Sequence, residues 1–204
     1  MARRRPQRPT QKITSGNQQV RIIGGEWRGR KLNFPEIEGL RPTPDRVRET
    51  LFNWLTAYVP GGRCLDMFSG SGALGFEALS RGAIHVTMID NSPEVIYQLR
   101  QNIQELKSQH AELVTASMPD WLEKRSGDLE IQFDIVFMDP PFHKDLAPLC
   151  CLLLEQKNLL ADNAMIYVET ESELTDLQVP DNWELYREKI AGQVSYKLYQ
   201  RSSG

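Results

Sequence analysis

Asp66-Met67-Phe68-Ser69-Gly70-Ser71-Gly72-Ala73-Leu74-Gly75 is the stretch whose reading decides the fold of this chain. It ends a β-prone run, Arg63 to Phe68, and opens a helical pattern, Ala73 to Ser80. Glycines in such a loop let the backbone turn tightly and approach a ligand at the carboxyl edge of a sheet. Gly70, Gly72 and Gly75 satisfy G-x-G-x-x-G, and Asp90 stands twenty residues after Gly70 at the end of the next β-prone run. In a dinucleotide site a pyrophosphate would rest on the helix N-terminus and Asp90 would hold a ribose hydroxyl. Asp66 opposes that reading, because a carboxylate at the mouth of the loop repels a pyrophosphate and favours an ammonium group. S-adenosylmethionine carries an ammonium, no phosphate and a ribose for Asp90, so it is the preferred ligand. A nicotinamide dinucleotide is the alternative.

Downstream, elements alternate as in an α/β fold. His85 to Asp90 reads as a second strand, Pro93 to Lys107 as a helix, Glu112 to Ala116 as a third strand and Pro119 to Arg125 as a short helix. Phe133 to Met138 is almost continuously apolar, the mark of a strand buried on both faces. A helix over Asp145 to Gln156 and a fifth strand over Ala164 to Glu169 follow. Trp183 to Ala191 and Val194 to Gln200 are joined only by a turn at Gly192, which implies antiparallel pairing and a mixed sheet.

The buried fourth strand runs into Asp139-Pro140-Pro141-Phe142. Two prolines fix the backbone and an aromatic offers a ring face, so the tetrapeptide forms a shelf for a planar amine. An exocyclic base nitrogen is a poor nucleophile because its lone pair is delocalised into the ring. Hydrogen bonds from the amine to the Asp139 carboxylate and the Pro140 carbonyl would localise that pair, and Phe142 would stack on a base that has left its helix.

Upstream the charge changes. Residues 1–49 carry twelve Lys/Arg against five Asp/Glu, a net +7, and the remainder carries −10, although the whole chain is only −3. A basic arm on an acidic body points to a polyanion, and nucleic acid is the leading candidate. Residues 1–18 read as a disordered basic tail and 19–42 as a hairpin arm. In that arm Ile22, Trp27 and Leu32 anchor while Arg21, Arg28, Arg30 and Lys31 face outward. The catalytic domain spans 43–204. Thr43-Pro44 reads as an N-cap followed by proline at the first helical position, opening a helix whose Val47, Leu51, Trp54, Leu55 and Tyr58 form an apolar stripe.

The loop, Asp90, the Asp139 to Phe142 shelf and the antiparallel end together resemble a class I S-adenosylmethionine-dependent methyltransferase acting on an amino nitrogen. The resemblance implies a Rossmann-like three-layer α/β sandwich with a mixed seven-stranded sheet. In that class the tetrapeptide is shared by enzymes modifying adenine N6, cytosine N4 and guanine N2, so it does not choose the base. The arm narrows the choice. Arg21 to Leu32, Arg41-Pro42-Thr43 and Asp45 to Asn53 closely resemble the bacterial 16S ribosomal RNA guanine-N2 methyltransferase D family, over about residues 20 to 200. This implies methylation of N2 of guanine 966, in the usual rRNA numbering, with 16S rRNA in the assembled small ribosomal subunit as partner.

Carried over by motif, Asp66, Ser69, Gly70 and Gly72 would shape the methionyl pocket and Asp90 with Asn91 would bind the ribose. Ser117 and Met118 would flank the adenine. Many relatives of the wider class have Asp or Asn where Ser117 stands, and a main-chain carbonyl could take the adenine amine instead. Asp139 would serve both cofactor and amine, beside Pro140, Pro141 and Phe142. Arg21, Trp27, Arg28, Arg30 and Lys31 are the RNA candidates, joined by Arg41 and Arg46, although Arg41, Thr43 and Arg46 could equally close over the cofactor. No metal is expected, transfer being direct and in line.

Other residues read as structural. His85 and His110 have no partner at a metal or catalytic spacing, whereas His143 follows Phe142 directly and could touch RNA or a phosphate, a chemical role being its lesser reading. Cys64, Trp121, Trp183 and Leu152 to Leu154 read as core. Three cysteines, two of them adjacent, form neither a disulfide framework nor a zinc spacing. The basic start lacks the apolar run of a secretory signal, and no apolar stretch is long enough to span a bilayer, so a cytoplasmic protein is expected. The absence of heptads makes a monomer the expectation. Three rivals remain. A DNA adenine methyltransferase would need room for a target-recognition domain that the short arm lacks, an NAD-dependent oxidoreductase would need Asp66 explained away, and a non-catalytic assembly factor would have no use for an intact cofactor loop.

Overall fold

The computed structural model describes residues 18–125, 131–141 and 144–202. Phe142 and His143, and the expected tail up to residue 17, lie outside the described residues. The chain opens with an antiparallel hairpin, β1 (Gln18–Arg21) and β2 (Lys31–Phe34), in which Val20 faces Leu32 and Arg21 faces Lys31. The basic arm is therefore built as a hairpin, beginning at Gln18.

The body is an alternation of α1 (Asp45–Trp54), β3 (Arg63–Asp66), α2 (Ala73–Ser80), β4 (His85–Asp90), α3 (Pro93–Leu106), β5 (Ala111–Thr115), α4 (Met118–Glu123), β6 (Phe133–Met138), α5 (Leu146–Gln156), β7 (Leu160–Glu171), β8 (Trp183–Ala191) and β9 (Val194–Arg201). Among the described residues the sheet has seven strands in the order β5-β4-β3-β6-β7-β9-β8. All pairs from β5 to β7 are parallel, and β9 is antiparallel to both its neighbours. This is the expected mixed sheet. Strand order reverses at β3 and β6, so the carboxyl ends of those two strands form the crevice in which such folds bind ligands.

Two cores flank the sheet. Val47, Leu51 and Leu55 from α1, Leu74 and Phe76 from α2, and Val95 and Leu99 from α3 cover one face with Val20 and Leu32 of the hairpin. Leu122 of α4 and Cys150, Cys151 and Leu154 of α5 cover the other. The adjacent cysteines are buried and free, as is Cys64. No helix among the described residues is long and apolar enough to cross a membrane.

Three local expectations need correcting. Thr43 does not cap α1: Pro44 occupies the N-cap without a side-chain bond, and its carbonyl accepts from the N–H groups of Val47 and Arg48. Thr43 is buried, and its own carbonyl takes Arg48 Nε at 3.1 Å. The fifth strand of the body begins four residues earlier than expected, at Leu160, because Phe133 pairs there before a register shift brings Ile135 opposite Met165. The short helix begins at Met118, ahead of Pro119, because Pro119 is tolerated in the first helical turn.

Candidate active site

The glycine loop leaves β3 at Asp66, whose carboxyl is buried under the first turns of α2. The Gly75 N–H donates to Asp66 Oδ2 at 3.0 Å. A Cβ on Gly75 would lie 2.3 Å from Met88 Cε and 3.0 Å from that oxygen, so any larger residue would have to push the buried Met88 side chain aside and crowd the carboxylate. Asp90, at the end of β4, accepts from Gly70 N–H at 3.0 Å through Oδ2 and from Ser92 N–H at 2.8 Å through Oδ1. The two acids thus shape the loop through its backbone.

Asp139 follows β6 directly, and the crossover brings it to Asp66. A small cavity at the carboxyl edge is lined by Arg41, Thr43, Asp66, Phe68, Ser69, Gly70, Ser71, Ala73, Leu74 and Asp139. The two motifs, far apart in sequence, therefore meet in one cleft. Pro140 is buried beneath it and Pro141 is exposed. Asn91 and Ser117 are exposed at neighbouring strand ends. Met118 lies only 3% exposed among the core residues behind α4, so its side chain is a packing element, and any contact with an adenine would have to come from its edge or backbone.

The electrostatics are unusual. Burial pushes the Asp66 carboxyl up to about 7 against the pull of the Gly75 hydrogen bond, with the Asp90 charge adding to the rise. Part of Asp139 remains open to the cleft, yet burial of its carboxyl, then the charges of Glu169 and Asp66, push its pKa well above the usual carboxylate range. Neither Asp66 nor Asp139 has an ion-pair partner among the described residues. A pair of desolvated carboxyls without a counter-charge fits a cationic ligand and disfavours a phosphate. An aminoacyl sulfonium nucleoside, which is cationic and carries no phosphate, meets that requirement.

Sequence reasoning missed two residues that organise the arm. Glu77, fully buried in α2, accepts from Ile23 N–H and Gly24 N–H at 2.8 Å each and from Arg81 Nε at 2.7 Å. Arg48, 1% exposed, lies 3.6 Å from the same carboxylate and donates to the carbonyls of Thr43 and Arg21 and to Asp45. The clue was a lone charge in the otherwise apolar stretch Ala73 to Ser80. Gly25, at φ +76, sits so close to the Ser80 carbonyl that a Cβ would come within 1.8 Å of it, and Trp27 N–H donates to Ser80 Oγ. The hairpin turn is therefore seated at the end of α2 remote from the glycine loop.

This seating separates the basic residues. Arg41 lines the cavity with Thr43, whereas Arg46 is exposed on α1 outside it. Trp27 is half-buried against the core, and Arg28, Arg30 and Lys31 are exposed around the remote turn. Arg21 pairs with Asp45 and Arg30 with Glu105, each at 3.1 Å and solvent-exposed, pairs of the kind that exchange readily for a phosphate. The side chains of Arg28, Lys31 and Arg46 make no hydrogen bond or ion pair with any described residue. His85 lies 3.7 Å from Glu112 at a strand start, away from the cleft.

The chain is similar to known proteins over most of its length. Residues 20–200 match the family described as conserved hypothetical protein 95. The chain is 51% identical over 189 residues, 93% of each chain, to the ribosomal RNA small subunit methyltransferase D of Escherichia coli strain K12. A solved structure of a putative methyltransferase from Escherichia coli superposes with a TM-score of 0.84 at 48% identity, over 92% of this chain and all of that one. A putative S-adenosylmethionine-dependent methyltransferase from Streptococcus mutans, 17% identical with a TM-score of 0.65, shares the fold over 83% of this chain and 53% of its own. With the class I methyltransferase sheet, the two motifs meeting in one cleft and half of its residues shared with the Escherichia coli K12 enzyme, the chain belongs to the ribosomal RNA small subunit methyltransferase D family.

Proposed function

We propose that the protein transfers a methyl group from S-adenosylmethionine to the exocyclic N2 of guanine 966 of 16S rRNA, within the small ribosomal subunit. The observation that carries this is the convergence of Asp66 and Asp139, on adjacent central strands, into one cavity with the glycine loop. When bound there, S-adenosylmethionine supplies a sulfonium methyl that is already a strong electrophile. The protein's task is positioning, and orientation carries most of the acceleration. Asp66 holds the ammonium and Asp90 the ribose. Asp139 and the Pro140 carbonyl accept the two amine hydrogens, directing the nitrogen lone pair at the methyl carbon. The N–C bond forms as the S–C bond breaks, and the proton shed by the methylated nitrogen passes to Asp139 or water.

The basic surfaces on the arm and α1 support RNA as the acceptor, and the name of the 51%-identical relative supports the small subunit as its source. A grip divided between two exposed patches suits a folded particle better than a short strand, and the enzyme is read as a cytoplasmic monomer acting on it. The test is transfer of labelled methyl to small subunits lacking the modification, with naked 16S rRNA and adenine-containing duplex DNA in parallel, followed by nucleoside analysis. N2-methylguanosine at position 966 is expected from the subunits. Methyladenine, or label at another position only, would overturn the reading.

A further inference from the structure

A third buried carboxyl stands beside the other two. Glu169, on β7, is 6% exposed. The parallel register pairs Phe137 with Tyr167 and Met138 with Val168, so the next step along the two strands sets Asp139 beside Glu169. Ile135 and Phe137 of β6 face the same core as Met165 and Tyr167 of β7, and the alternation carries Asp139 and Glu169 onto that same face. The Tyr167 hydroxyl donates to Glu169 Oε2 at 2.7 Å, and the other carboxyl oxygen makes no hydrogen bond with any described residue. No described cation pairs with Glu169; Lys197, whose Cα is opposite Val168, turns to Glu188 at 3.4 Å. Tyr196, the cross-strand partner of Glu169, packs on Trp54 and Tyr167. A largely buried acid with one oxygen fixed by a tyrosine and the other without a partner among the described residues is a group of the kind that gathers at functional sites.

The Watson–Crick edge of the target gives this oxygen a purpose. Guanine presents two neighbouring donors, N1–H and the N2 amine, whereas adenine and cytosine place a ring-nitrogen lone pair beside their amine. One carboxyl at the end of β6 reads the amine and cannot tell these bases apart. Resting on the guanine-N2 reading above, we propose that Glu169 selects the base, its free oxygen accepting the hydrogen of guanine N1 while Asp139 accepts from N2. The Tyr167 hydroxyl positions it and, by donating to it, favours the ionised, accepting form against the burial that raises its pKa. Against adenine or cytosine two lone pairs would face each other in a buried site, the arrangement by which hydrogen-bonding pockets reject close analogues most strongly.

The test uses small subunits reconstituted with 16S rRNA ligated from synthetic segments carrying guanine or 2-aminopurine at position 966. 2-Aminopurine keeps the amine but offers a lone pair at N1. With the full-length protein at pH 8.5, guanine is expected to exceed 2-aminopurine at least ~100-fold in kcat/KM. In Glu169→Gln the amide can donate to the analogue, so that ratio is expected to fall below ~10, with S-adenosylhomocysteine affinity unchanged. An unchanged ratio in the variant, or a wild-type protein indifferent to the analogue, overturns the assignment. If Glu169→Gln fails to bind S-adenosylhomocysteine, Tyr167→Phe decides: the lost hydroxyl must narrow the ratio, and an unaltered ratio overturns the proposal. Failure of the guanine-N2 reading is separable, because it would appear as a different methylated nucleoside from wild-type protein on unmodified subunits.

Discussion

Asp66 Oδ2 lies 3.0 Å from the backbone nitrogen of Gly75, so the acid proposed to hold the cofactor is itself held by the helix that the glycine loop begins. The contact depends on the missing side chain at position 75, where a Cβ would collide with Met88. Gly75→Ala is expected to destabilise the fold by about 1–3 kcal/mol through overpacking and to weaken S-adenosylhomocysteine binding by displacing Asp66. Thermal melts with and without the ligand check both effects. Wild-type affinity in the variant would contradict the coupling.

The protonation of the cleft gives a second expectation. Burial raises the Asp66 carboxyl to about 7 from its ordinary 3.8, so between those values the folded protein holds a proton that the unfolded chain has released. This group therefore reduces stability as pH rises through that window. A bound ammonium favours the ionised carboxylate, so binding should release a proton below about pH 7, and affinity should rise with pH. Calorimetry at pH 6.5 in two buffers of different ionisation enthalpy is expected to report release approaching ~1 proton per cofactor. Proton uptake, or none exchanged, would contradict the carboxyl assignment.

The arm rests on a buried charge. Glu77 ties Ile23 and Gly24 to α2 and faces Arg48 and Arg81. Glu77→Gln takes the carboxylate from Arg81 and leaves the buried Arg48 with Asp45 alone, and a loss of about 3–5 kcal/mol is expected from breaking such a network. Limited proteolysis should then cut first within residues 20–30. Equal protection in wild type and variant would show that the arm is held elsewhere.

The two basic patches make separable contributions. Arg28→Ala with Lys31→Ala is expected to raise KM for small subunits and to reduce its salt dependence while leaving S-adenosylhomocysteine affinity unchanged, because these side chains stand at the remote end of α2. Arg41→Ala, which lines the cavity, is expected to weaken ligand binding as well. Steady-state kinetics at two salt concentrations and direct titration distinguish the outcomes. Identical effects from both patches would contradict the division.

Much of the fold could be read in advance because its strongest signals are local. Phe133 to Met138 is apolar apart from Asp134, Pro93 follows a capping Ser92, and Gly192 marks a turn, so those elements fall where the pattern puts them. The motifs at Asp66 and Asp139 were legible for the same reason, each being a short chemical phrase after a strand. Glu77, Arg48 and Glu169 were not. Their roles depend on partners dozens of residues away or on the neighbouring strand's register, which only tertiary structure supplies. The start of β7 was obscured by Asp162 and Asn163, exposed polar residues that interrupt the apolar pattern although pairing continues through Leu160.

The central claim is that one cavity holds the methyl donor beside an acid that presents the amine. Asp139→Ala, assayed for methyl transfer to unmodified small subunits and, in the same preparation, for S-adenosylhomocysteine binding, tests it most directly. The account requires binding that survives in part and turnover that is abolished. An Asp139→Ala protein that methylates the subunits at the wild-type rate would contradict it.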